Sequence, residues 1–200
     1  MIAVRLPNAI VDRVPQLGAL DEDWNPVSRG AAIAWIVFYA LMLWSAATGG
    51  TLASLMDLVF VPIHEGGHLL FRFFGEWIYV AGGTFLQLFV PLALAIYFIF
   101  QRQLAGTAFC AFFFFEQFLP VAVYMADSHC QCLTYVTVGD SDTVIHDWYY
   151  LFSGVGLLAH DTQIAAVVRS LGWIGMLATV AWFAVRALRS TPTDAVVAVE

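Results

Sequence analysis

The sequence predicts an all-α membrane protein, a bundle of about five transmembrane helices. Three observations carry that prediction: 61% of the 200 residues are hydrophobic and only 12% charged, the mean hydropathy is +0.80, and the apolar residues gather into five runs of span length. A soluble domain carries roughly a quarter charged residues, whereas a helix needs about 20 apolar residues to cross the hydrocarbon layer. The length fits one such bundle, expected over 31–190 with a non-spanning arm at 1–30 and a C-terminal tail at 191–200. The arm carries Arg5, Asp12, Arg13, Asp21, Glu22 and Asp23 and lacks the apolar core of a signal peptide, so it reads as retained.

The spans are expected at 31–48, 52–74, 84–101, 104–126 and 164–188. The first stops at Gly49 and Gly50, and the third and fourth, separated only by Gln101, Arg102 and Gln103, form an antiparallel pair. Between the second and third lies GEWIYVAGG, where Trp77, Ile78, Tyr79 and Val80 favour a short strand or hairpin after the second span. The stretch 128–162 holds Asp140, Asp142, His146, Asp147, His160 and Asp161 without a basic residue and is too polar to span. Its middle, WYYLFSGVGLL, suits a re-entrant or interfacial segment near 147–160, because tryptophan and tyrosine favour the headgroup level. The run FFFF at 112–115 reads as lipid-facing and packing surface.

A net charge of -7, from 15 acidic residues against eight arginines, offers no basic face to nucleic acid. The expected partners are the lipid bilayer and a membrane protein or peptide. Arg5, Arg13, Arg29, Arg72 and Arg169 fall on one side of the predicted spans and Arg102, Arg186 and Arg189 on the other, which places the N-terminus in the cytoplasm. An integral, multi-pass protein of a prokaryotic cytoplasmic membrane is expected. Three cysteines, Cys110, Cys130 and Cys132, give no disulfide framework. HCQC at 129–132 reads either as ordinary loop or as a small soft-metal site.

Inside the second span stands HEGGH, residues 64–68. His64 and His68 are four apart, so on a helix both imidazoles reach one ion. Glu65 projects about 100° round from His64. It is placed to touch a metal-bound water, from which a zinc hydrolase must remove a proton that it later returns to the leaving amine. From this composition an accidental HExxH is expected about 0.003 times per chain. Ionisable groups within a span are costly and default to a functional reading. A catalytic zinc takes a third protein ligand, for which Glu116, Asp127, His129, His146, Asp147 and His160 are the candidates; depth-matching of the spans favours Glu116 and leaves Asp127 within reach. His146, beside Asp147, could supply a ligand, a contact behind a ligand or a transition-state donor, or these two residues could simply start a helix. Asp57 could support a histidine or pair with Arg72, and Gln87 and Gln117 are intramembrane amides suited to a substrate strand or to helix pairing.

HEGGH within a hydrophobic helix, GEWIYVAGGT at 75–84 after it and QFLPVAVYMAD at 117–127 together resemble the site-two protease family of intramembrane zinc metalloproteases. In that family a membrane-associated strand follows the motif helix, and a later Asn-x-x-Pro-x-Pro-x-Leu-Asp-Gly segment supplies the third zinc ligand. Ala126, Asp127 and Ser128 stand here in place of Leu-Asp-Gly. The resemblance therefore implies zinc (Zn2+) held by His64, His68 and Asp127, Glu65 as general base and acid with His146 assisting, and hydrolysis of a peptide bond within or at the edge of a membrane-spanning substrate. Two other classes use the same residues: a non-proteolytic membrane metalloprotein for sensing, redox or transport, and a catalytically silent relative that binds membrane partners.

Overall fold

The computed structural model describes residues 24–133 and 146–190. Most of the expected arm, Asp140, Asp142 and the tail 191–200 lie outside the described residues. The helices are α1 (Arg29–Thr48), α2 (Thr51–Phe71), α3 (Glu76–Phe100), α4 (Leu104–Glu116), α5 (Phe118–Ala126), α6 (Asp147–Gly154) and α7 (Asp161–Ser190), with a 3-10 turn at Leu158–His160 before α7. Local signals set several ends. Ser28 Oγ accepts from the Ala31 N–H at the start of α1. Gly49, at φ 65°, closes α1 in the left-handed region that a side chain disfavours. The break between α4 and α5 follows from Pro120, whose missing N–H would otherwise bond to the Glu116 carbonyl.

Among the described residues, four helical stretches are long and apolar enough to cross a membrane: Arg29–Thr48, Glu76–Phe100, Leu104–Ala126 and Leu158–Leu188. The fifth expected span is a helix of sufficient length, α2, but Asp57, His64, Glu65 and His68 lower its hydropathy. Large apolar side chains cover the outside, among them Trp44 at 71% exposure and Ile174 at 64%. Such an exterior is one that lipid solvates and water does not.

The expected strand or hairpin at 75–84 is a correction: no strand occurs among the described residues, and this segment is the first two turns of α3. An isolated strand in a packed apolar setting leaves its N–H and C=O groups without partners, whereas a helix bonds its own, as when Tyr79 N–H donates to Gly75 O. The glycines serve helix packing instead. A methyl group built on Gly67 of α2 would run into the Gly82 carbonyl of α3, and one on Gly82 would stand 2.8 Å from Gly67 O. Backbone cannot yield as a side-chain tip does. Gly67→Ala is therefore expected to cost about 1–3 kcal/mol of stability, read as an earlier thermal unfolding transition in detergent; an unchanged transition would show that the two helices stand further apart.

The larger core joins Tyr39 and Met42 of α1, Phe112 and Phe113 of α4, and Met176 and Phe183 of α7. The phenylalanine run is thus split, because four consecutive helical residues point in all directions and two of them must face inward. A smaller cluster, Val121, Ala122, Met125, Phe152 and Ala165, ties α5 and α6 to α7. Asp161 strengthens that joint by accepting from Ser128 Oγ and the His129 N–H, each at 3.2 Å.

Candidate metal centre

The last two turns of α2 present His64 and His68 side by side, their ring centroids 4.9 Å apart. Each ring is held from behind at Nδ1: His68 donates to the Tyr79 carbonyl and His64 to Gln87 Oε1, both at 2.9 Å. A carbonyl only accepts, so the Nδ1 facing it carries hydrogen and Nε2 is left with its lone pair. Both Nε2 atoms meet the same oxygen, Asp147 Oδ2, at 2.9 Å from His64 and 3.3 Å from His68. All three ligand atoms lie within 4.8 Å of one another.

Gly83 of α3 makes room for this convergence, because a Cβ there would lie 2.5 Å from His68 Nε2 and 2.6 Å from His64 Nε2. Two imidazole nitrogens and one carboxylate oxygen, with hydrogen bonds behind the rings, are the donor types that zinc sites use. The residues fit the ion.

Asp147 reaches the histidines because α6 begins there. Its N–H donates to Tyr124 Oη at 3.1 Å, and the preceding His146 caps the helix, with Nδ1 accepting from the Tyr149 N–H. That bond leaves the ring hydrogen on Nε2, which faces Asp127 Oδ2 at 3.4 Å. Asp127 also accepts at Oδ1 from the Cys132 N–H at 2.9 Å and the Leu133 N–H at 3.3 Å. For His146, burial wins over the Asp127 carboxylate and lowers the imidazole below its ordinary value, consistent with a neutral ring.

The structure thus brings together His64, His68 and Asp147, with Glu65 half-buried on the same turn and within electrostatic reach of His68 and Tyr124. It does not bring Asp127 to the paired imidazoles: Asp127 stands behind His146, which in turn positions Asp147. His146 itself serves at the helix cap. Glu116 is buried one layer deeper, against Gln117. The remaining candidates lie elsewhere, with the His129 backbone on Asp161 and His160 beside Gln163 at an exposed position. Asp57 meets Gln117, while Arg72 lies over the Phe73 ring at 4.5 Å. Cys130 and Cys132 are joined as a disulfide next to Asp127. Sequence reasoning missed Tyr124, the Tyr79 carbonyl and Gly83; the pair Gly82-Gly83 was the available signal for a close approach. Comparison of the chain with family models, curated proteins and solved structures gives no match.

Proposed function

We propose that this chain is a multi-pass membrane zinc metallopeptidase of the site-two kind, hydrolysing a peptide bond within or at the edge of a membrane-spanning substrate. The observation that carries the reading is the meeting of both histidines of HEGGH with one buried carboxylate, in a chain with four helical stretches long and apolar enough to span. His64, His68 and Asp147 would hold the ion, Asp147 taking the role expected of Asp127. Bound zinc supplies Lewis acidity, polarising a carbonyl and acidifying water.

Glu65 handles the protons. It accepts one from water as the water oxygen bonds to the carbonyl carbon, then delivers it to the amide nitrogen as the C–N bond breaks, so that the amine leaves neutral. Tyr124 and His146 fix the start of α6 and thereby the Asp147 carboxylate. His68 lies one turn before the end of α2, and Tyr79 in the first turn of α3. This centre near the helix ends favours a scissile bond close to one membrane face, where a substrate helix can unwind against water at lower cost.

The test is direct. Purified protein loaded with one equivalent of zinc and placed in lipid nanodiscs should cleave single-span peptides, lose that activity to a chelator and regain it on zinc addition. Folded protein that takes up no zinc from an equimolar supply would overturn the reading.

A further inference from the structure

We propose that Gln87, Gln117 and Glu116 form a directional relay of hydrogen bonds that positions His64 as a metal ligand, selecting its ligating tautomer from deep within the bundle. The inference rests on the metal centre of the proposed function and is independent of whether the substrate is a peptide. His64 Nδ1 donates to Gln87 Oε1 at 2.9 Å, Gln87 Nε2 donates to Gln117 Oε1 at 2.6 Å, and Gln117 Nε2 donates to Glu116 Oε2 at 2.7 Å. All three relay residues are buried, Gln117 completely.

An amide has one donating and one accepting end, so a chain of amides transmits direction. Glu116 Oε2 accepts from the Gln117 NH2, and the Gln117 oxygen is left facing Gln87. Gln87 must then offer its own NH2 to Gln117 and its oxygen to His64. An oxygen at His64 Nδ1 requires hydrogen on Nδ1, which leaves the Nε2 lone pair aimed at the centre. The opposite orientation would set an NH2 against Nδ1, move the ring hydrogen to Nε2 and remove a ligand.

Pro120 gives the relay its far end. In a continuous helix Glu116 and Gln117 would point about 100° apart; at the α4–α5 break, Gln117 bridges Glu116 of its own chain segment to Gln87 of α3. Two amides and a carboxyl group in an apolar interior carry a desolvation cost that only complete pairing offsets. Helix packing alone would be served better by leucine.

Zinc affinity, measured by competition with a chromophoric chelator, tests the relay. Gln117→Leu touches no ligand yet is expected to weaken binding about 10–100-fold, the usual effect of losing an outer partner. Gln87→Glu still offers oxygen to His64 but opposes the Gln117 oxygen, and is also expected to weaken binding. Adding Glu116→Gln lets the Gln117 amide reverse between Glu at 87 and Gln at 116, and should return affinity to within about threefold of wild type. A packing role gives no such recovery, because two substitutions would then be at least as harmful as one. The double variant adds no apolar mismatch, so the relay remains testable if Gln117→Leu does not fold. Zinc bound normally by wild type, with affinity unmoved in Gln117→Leu or Gln87→Glu or with no recovery in the double variant, overturns the relay alone; wild type that binds no zinc overturns the metal centre as well.

Discussion

Asp147→Asn is expected to strip the centre of its metal, whereas Asp127→Asn keeps stoichiometric zinc. Among the described residues, Asp147 is the only carboxylate that both imidazoles meet, at 2.9 and 3.3 Å. Exchange for a neutral amide removes the negative charge and puts a donor group among the ligands. Affinity should fall by well over about 100-fold, beyond the range for residues that act behind a ligand. Asp127 is such a residue. It faces His146 Nε2 at 3.4 Å, and His146 caps the helix whose first residue is Asp147, so its loss should loosen the carboxylate and cost about 10–100-fold. Metal content after gel filtration, measured on both variants at equal folded yield, decides the order. Zinc retained by Asp147→Asn and lost by Asp127→Asn would return the third ligand to the position that the family resemblance implies.

The difference between these two aspartates marks how far the sequence could be read. HEGGH was legible because its geometry is local: one helical turn makes His64 and His68 neighbours whatever the tertiary structure. The carboxylate that meets them was not, since Asp147 lies 83 residues from His64 and reaches it only through the placement of α6. The two residues favoured from sequence both lie behind the centre, Glu116 at the far end of the amide relay and Asp127 behind His146. Depth and motif spacing therefore led to residues one step behind the paired imidazoles rather than to the carboxylate that meets them. The helix start considered for His146 and Asp147 describes them well, and it is that start which brings the Asp147 carboxylate to the histidines.

The elements divide in the same way. Composition and apolar runs were sufficient for the spans expected at 31–48, 84–101, 104–126 and 164–188, which correspond to the longer or equal apolar stretches Arg29–Thr48, Glu76–Phe100, Leu104–Ala126 and Leu158–Leu188, because span length is a property of the local chain. The strand at 75–84 was inferred from side-chain preference at Trp77, Ile78, Tyr79 and Val80, which is weak beside the demand that every buried backbone group be paired. Gly82 and Gly83 carried the better information: one allows α2 and α3 to touch, the other leaves space beneath both imidazoles. On the proposed function, a substrate would find no strand edge at 75–84 and would be recognised by the centre and the ends of the helices around it.

Glu65→Gln is expected to abolish cleavage while leaving the metal in place. Glu65 follows a ligand in sequence but points about 100° away from it on the helix, half-buried and within electrostatic reach of His68 and Tyr124. Glutamine keeps the shape and a carbonyl oxygen but cannot accept and return a proton at neutral pH. General acid–base catalysis contributes about 10²–10⁴-fold, and turnover of a single-span peptide should fall by that factor. His64, His68, Asp147 and the groups behind them are untouched, so zinc stoichiometry should remain that of wild type in the same preparation. The two readouts must be taken together, because lost cleavage with lost zinc reports damage to the ligands, whereas lost cleavage with retained zinc isolates the proton transfer. Wild-type turnover in a zinc-loaded Glu65→Gln protein would mean that another group moves the proton, and the role given to this carboxylate would have to be withdrawn.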